Sequence, residues 1–353
     1  MRQAAAYSIG GVFTPTKHRG HGYAGRMMSL LHETIRSFAP VGPMLGSSSS
    51  NIAEKSLSLA CSVLFSDLFG YYERFGWKNK AFSDTYFLAK GAEGAPLPAL
   101  SAEVGHSMSW IRQGNAEEVF SALARKDGEL IVADLRRRGR DTAKTLFSLF
   151  EPTGDCWKSH RLQTLLQAKF QNRSIPSSWG VVLHERGIAT QGDVADSRKL
   201  SQGEDAEPNS VAKSSSWATW WYDFRPASPE QKTPKSKLVV LRFRATSASA
   251  LITIINAARR AAAEAAVDTI EVWNMDLNSS PASAEWAGPE LERVRARGDL
   301  GEVWVEHRVH SRPAVAWYLD ETSSTPPTPD EMLQVARDRL EWLNAERGWC
   351  IVT

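Results

Sequence analysis

Val12-Phe13-Thr14-Pro15-Thr16-Lys17-His18-Arg19-Gly20-His21-Gly22-Tyr23-Ala24-Gly25-Arg26 carries the chain from a strand, through a turn with two glycines, into a helix. Tyr7 to Phe13 reads as a short strand, and Thr14-Pro15 stops it. From Gly22 to about Phe38, the apolar residues Ala24, Met27, Met28, Leu31 and Ile35 recur at helical spacing. The turn between them, Arg19-Gly20-His21-Gly22-Tyr23-Ala24, aims several backbone N–H groups one way at the positive end of a helix. A diphosphate would accept hydrogen bonds from His21 to Ala24, with Arg19 as its countercharge and the two glycines allowing close approach. Steric demand alone also places glycines in such turns, so the spacing by itself leaves both readings open. The turn is neither a Walker loop nor a G-x-G-x-x-G fingerprint.

Outward from this unit, Ser62 to Ser66 reads as a second strand. A helical turn from Phe69 to Phe75 ends at Gly76, and Phe82 to Leu88 makes a third strand. Strands and helices alternating over about ninety residues give an α/β class. Residues 91–105 read as a linker, so residues 1–90 and 106–353 form two domains. The second is an α+β domain rich in tryptophan: Trp77 stands alone in the first hundred residues, and the other twelve follow. Within it, Glu117 to Arg138 reads as helix, Trp179 to Leu183 as strand, and the polar stretch 185–216 as an unstructured insertion. Trp217 to Phe224 and Lys237 to Arg244 read as paired strands. An Ala-rich helix from Ala248 to Ala266 leads to a strand at Thr269 to Trp273. Strands at Val303 to Arg308 and Ala314 to Tyr318 follow. A last helix carries Leu333, Ala336, Leu340 and Leu343. No internal repeat is visible.

With 353 residues, 42% of them hydrophobic and 23% charged, the chain can bury real cores. Lys+Arg 42 against Asp+Glu 40 leaves +2, which argues against a polycationic nucleic-acid binder. Cys61, Cys156 and Cys350 are too few and too widely spaced for a disulfide framework or a cysteine-rich metal site. No stretch approaches ~18 uninterrupted apolar residues. The expectation is a cytoplasmic protein with no membrane, nucleic-acid or metal partner. His18 and His21 lack a nearby third ligand and read as solvated turn residues. The Arg136–Arg140 run reads as a solvated helix end, with nucleic-acid contact as the sharper alternative. Trp217, Trp220 and Trp221 read as core before pocket, and Cys61 as a structural thiol.

Two motifs together carry a family resemblance. Arg19-Gly20-His21-Gly22-Tyr23-Ala24 fits the R-x-x-G-x-G/A signature of the GNAT superfamily of acyl-coenzyme A-dependent N-acetyltransferases. Gly11 to Pro15 resembles that family's fourth strand, and Val63-Leu64-Phe65-Ser66-Asp67 its fifth. Tyr71-Tyr72-Glu73-Arg74-Phe75-Gly76-Trp77 resembles the family's F-Y-x-x-x-G-F/W segment. More narrowly, the chain resembles the fungal lysine N-acetyltransferase group, whose members carry a Trp-rich C-terminal domain. The resemblance covers about residues 8 to 90, the second half of a GNAT domain. The strands and helix pair that usually come before have no counterpart.

The resemblance implies a partial GNAT acyltransferase fold followed by the α+β domain, with acetyl-CoA as acyl donor. Backbone groups of Val12 and Phe13 would align the pantetheine arm, and Arg19, Gly20, His21, Gly22, Tyr23 and Ala24 would hold the pyrophosphate. Tyr72 would protonate the departing thiolate, to which a phenol is matched in pKa. Asp67 is a candidate to deprotonate the amine, and competes with the reading of Asp67 as a helix N-cap. The implied activity is acetyl transfer to a small-molecule amine, lysine or a related amino acid. The alternative is a non-catalytic CoA-binding or interaction module.

Overall fold

In chain order the elements are β1 (Ala5–Ile9), α1 (Tyr23–Ser37), β2 (Leu59–Ser66), β3 (Lys78–Asn79), β4 (Asp84–Ala89), β5 (His106–Arg112), α2 (Ala116–Arg138), β6 (Thr145–Phe147), α3 (Asp155–Phe170), β7 (Ser178–Glu185), β8 (Ser216–Asp223), β9 (Lys237–Arg244), α4 (Ala248–Glu264), β10 (Thr269–Trp273), β11 (Val303–His307), β12 (Arg312–Trp317) and β13 (Leu340–Trp342). Short 3-10 turns lie at Thr16–His18 and Glu73–Phe75. The computed structural model describes residues 5–9, 12–37, 59–66, 68, 70–79, 84–89, 106–138, 145–147, 153–185, 216–224, 236–273, 296, 303–307, 312–318 and 340–342. The expected linker at 91–105, the interior of the expected insertion at 185–216, and Asp67 lie outside them.

The strands form a four-stranded sheet, β1-β2-β12-β3, a seven-stranded sheet, β11-β4-β10-β9-β8-β7-β5, and a small parallel pair, β13-β6. The class is α/β, as the alternation implies. In the first sheet β1 runs parallel to β2, from Ala5↔Leu59 to Ile9↔Leu64. A parallel neighbour needs a crossover, and α1 supplies it. Its apolar spacing sets its orientation: Met28 and Ile35 are buried, Leu31 half-buried, and Met27 and Leu30 face solvent. Of the expected strand from Tyr7 to Phe13, β1 takes Ala5–Ile9, and Val12 and Phe13 carry no strand pairing.

The second sheet repeats this unit, a relation the sequence conceals. β9 runs parallel to β10, and α4 joins them. In each unit the second parallel strand has an antiparallel neighbour on its far side: β12 on β2, and β4 on β10. A further antiparallel strand follows, β3 on β12 and β11 on β4. Strand pairing therefore crosses the expected division of the chain in both directions. β4 belongs to the second sheet although it precedes residue 91, and β12 belongs to the first.

The main core lies between the large sheet and its helices. It holds Trp110, Trp179, Trp217, Trp220 and Tyr222, with Ile254, Ala258 and Ala261 of α4. The burial of Trp217, Trp220 and Trp221 matches their reading as core. α3, which periodicity did not reveal, stands in for a strand beside the end of β8. Thr164 Oγ1 donates to the Tyr222 carbonyl (2.7 Å) and accepts the Tyr222 N–H (3.1 Å). Gln167 accepts the Phe224 N–H (2.9 Å), and the Gln171 amide donates to the Phe224 carbonyl. Buried backbone groups need such partners. At the expected last helix, Leu340–Trp342 is instead a strand parallel to β6, whose pairing takes the place of helical hydrogen bonds.

Candidate functional site

The glycine turn lies fully on the surface. Residues 15 to 23 are exposed, and His18 and His21 are among them, as read for solvated residues. Gly20 and Gly22 take φ of +82° and +76°, the left-handed region that other residues enter only with strain. A Cβ built on either glycine would meet nothing within 4 Å, so open space lies over the turn. The first helical bond of α1 runs from the Arg26 N–H to the Gly22 carbonyl (3.0 Å). The N–H groups of Tyr23, Ala24 and Gly25 come before it, where a helix has no internal acceptors. Arg19 folds back and donates from Nε to the Thr14 carbonyl (3.1 Å), and its guanidinium lies 5.9 Å from the Phe13 ring. Val12 is half-buried and Phe13 is 69% exposed, both beyond the last parallel pair of β1. These residues fit a diphosphate: donors without acceptors among the described residues, no Cβ in the approach, and a cation at the rim.

The second motif packs against the first. A Cβ on Gly25 would lie 3.1 Å from Phe75 Cζ, so a glycine in the first turn of α1 makes room for the Phe75 ring. Tyr72 leads into the 3-10 turn Glu73–Phe75 and packs on the core of Met28, Leu64, Trp77, Ala314 and Ala316. Its ring meets Tyr71 edge-on at 4.9 Å. Gly76 ends the turn at φ +101°, and a Cβ there would lie 2.6 Å from His32 Cε1. The two motifs, about fifty residues apart in sequence, thus share one corner of the first sheet. Beside Asp67, Ser66 Oγ accepts the Leu68 N–H (2.8 Å) and so fixes the chain leaving β2.

Under α1 runs a hydrogen-bonded group that sequence reading missed. The Tyr318 hydroxyl lies 2.9 Å from Ser62 Oγ and 3.1 Å from His32 Nδ1. Trp77 Nε1 donates to the same Ser62 Oγ (3.0 Å). Burial, and then Arg36, hold the His32 pKa below its usual value; burial pushes Tyr318 up to about 12. Beside it, burial raises the Cys61 thiol to about 12, in keeping with a structural thiol. The residues of this group are spread over 286 positions of sequence, so periodicity gives no signal for it. Only Gly25 and Gly76, glycines within or just after helical turns, hinted at close packing.

The corresponding position of the second unit is filled. Between β9 and α4 the chain reads Ala245-Thr246-Ser247, without glycine. Ser247 Oγ accepts the Ala250 N–H (3.1 Å), and Ser216 Oγ accepts the Thr246 N–H (3.1 Å). The end of β9 carries Arg242, which grips Asp127 of α2 through Nε and Nη2, both at 2.8 Å. Burial alone would raise the Asp127 pKa, but Arg242 and Arg244 outweigh it and hold the carboxyl below its usual range. Only the first unit therefore offers an open turn. Among the described residues no group of three or more His, Cys, Asp or Glu could hold a metal, and no helix is long and apolar enough to cross a membrane.

A family model described as the LYC1 GNAT-like C-terminal domain matches residues 97–350. A lysine acetyltransferase of Yarrowia lipolytica (strain CLIB 122 / E 150) is 35% identical over 81 residues, which make up 22% of this chain and 20% of that protein. The match thus spans about a fifth of the length of that relative. A GCN5-related N-acetyltransferase from Anabaena variabilis ATCC 29413 aligns over 89% of this chain and 55% of that one, with a TM-score of 0.40 and 12% identity. Eis1 from Mycobacterium abscessus aligns over 89% and 56%, with a TM-score of 0.38 and 11% identity. With the family model covering most of its length, the chain belongs to the LYC1 GNAT-like C-terminal domain family, and over 81 residues it resembles a fungal lysine acetyltransferase.

Proposed function

We propose that this protein transfers an acetyl group from acetyl-CoA to the amine of a small molecule, lysine or a related amino acid, in the cytoplasm. The observation that carries the reading is the open turn Arg19–Ala24. It combines positive-φ glycines, uncapped donors and clear space where a diphosphate would lie. Acetyl-CoA would supply the acetyl group as a thioester. The N–H groups of Gly20 to Ala24 and the Arg19 guanidinium bind its diphosphate, and the backbone of Val12 and Phe13 aligns its arm. Tyr72 holds the proton destined for the leaving sulfur, since a phenol near pKa 10 is matched to a thiolate. Asp67, which follows β2 in sequence, takes the proton that the attacking amine must lose. The lysine acetyltransferase relative supports lysine as the acceptor class.

Calorimetry with acetyl-CoA, followed by a lysine-dependent thiol-release assay, tests the reading. One mole of acetyl-CoA bound per chain, with thiol released only when amine is present, is the expected outcome. Binding without release would return the non-catalytic CoA-binding module, and no binding would remove both.

A further inference from the structure

We propose that β4 and β12 are the second strands of two hairpins, β3-β4 and β11-β12, that have traded places within one chain, so that neither sheet closes without the other half. Four residues (80–83) separate β3 from β4, and four (308–311) separate β11 from β12. Connections this short ordinarily close antiparallel hairpins. Here neither does. β4 forms five residue pairs with β10 and five with β11, while β12 forms six with β2 and two with β3. Each of these strands fills, in the other sheet, the interior place its counterpart would take in a closed arrangement.

The packing says why the trade is favoured. Ala314 and Ala316 of β12 sit on the face that meets Met28, Leu64 and Trp77, each 1% exposed. Val315 faces the other way, onto Cys61 and Val63. The slot in the first sheet therefore takes two small residues spaced two apart. Every such pair in β4 (Asp84-Thr85-Tyr86-Phe87-Leu88-Ala89) contains Tyr86 or Phe87, and an aromatic ring would overfill the space beneath Trp77. β12 also brings Tyr318, whose hydroxyl joins Ser62 of β2 to His32 of α1. Through this strand the C-terminal half holds the helix that opens with the glycine turn.

The test uses the full chain with a protease site inserted between residues 190 and 210. Cys61→Ser, Val63→Cys and Val315→Cys place one cysteine pair in register across β2 and β12; Leu88→Cys with Ile270→Cys does the same across β4 and β10. On oxidation each variant should give a disulfide within the monomer, and after cleavage its two pieces, run in denaturant, should separate only with reductant. Disulfide-linked dimers would mean exchange between copies, and a folded monomer with neither bond would mean closed hairpins; either result overturns the proposal. Should these variants fail to fold, Leu88→Cys with Val303→Cys, in register across β4 and β11, decides: a disulfide within the monomer supports the exchange, and a folded monomer without it overturns the proposal. No ligand enters the experiment, so its failure is distinct from failure of the acetyl-CoA reading.

Discussion

Gly22 joins backbone geometry to binding. At φ +76° with open space overhead, a valine there would meet no clash but would strain the backbone. The cost is roughly 1–2 kcal/mol, and the branched side chain would stand in the diphosphate approach. Gly22→Val should weaken acetyl-CoA binding at least tenfold in calorimetry, with a small fall in melting temperature. Tyr72 differs, since it packs against the core cluster that holds Leu64 and Trp77 while its hydroxyl carries the proposed chemistry. Tyr72→Phe keeps the packing, so kcat should fall by about a hundredfold with the acetyl-CoA Kd unchanged, the size expected for one general acid. Equal losses in both would mark Tyr72 as a packing residue only. The glycines of the turn and Tyr72 are legible in sequence because backbone permissiveness and a recurring motif are local properties. The demand on Gly25 and Gly76 is not, because Phe75 and His32 make it from elsewhere in the fold.

Among the elements, the two crossover helices begin in opposite ways. α4 is closed by Ser247, whose hydroxyl takes the Ala250 N–H. Ser247→Ala should lower stability by about 1 kcal/mol, read as a shift in urea midpoint, and leave acetyl-CoA binding untouched. α1 opens on glycines, and its first helical bond begins only at the Arg26 N–H. α1 is legible from its apolar spacing and α4 from its run of alanines, and β8, β9 and β10 from runs of β-branched and aromatic residues. α3 was not. Its exposed Leu162, Leu166 and Phe170 blur the apolar stripe, and its hold on β8 comes from Thr164, Gln167 and Gln171 instead.

At the scale of the whole molecule, buried histidines set the response to pH. Burial brings His160 down to about 4, against the opposing pull of Asp223, and also lowers His184 and His32. In each case the unfolded chain binds a proton more readily than the folded one. Stability is therefore full above about pH 6.5 and falls as pH drops toward 4, with His160 alone contributing about 3 kcal/mol of that loss. Thermal melts at pH 7 and pH 4.5 should show it, and His160→Phe should flatten the profile. Asp127 acts in the same sense at lower pH: its folded pKa is also lowered, so its contribution is whole through this window and is lost only as pH falls through and below the ordinary carboxylate range. Asp127→Ala leaves Arg242 buried without its carboxylate and should cost about 3–5 kcal/mol.

The sequence by itself determined the α/β class, the crossover helices, the glycine turn and the pairing of β8 with β9. Each depends on residues close together along the chain, where periodicity and turn chemistry act. Only the tertiary structure decided that the first unit recurs in the second half and that β4 and β12 sit in each other's sheets. The same holds for the group that Tyr318 forms with Ser62 and His32 under α1. The physical reason is that a strand has the same local pattern whichever sheet receives it. Its place depends on side-chain volumes, such as Ala314 and Ala316 beneath Trp77, that meet only once the chain has folded.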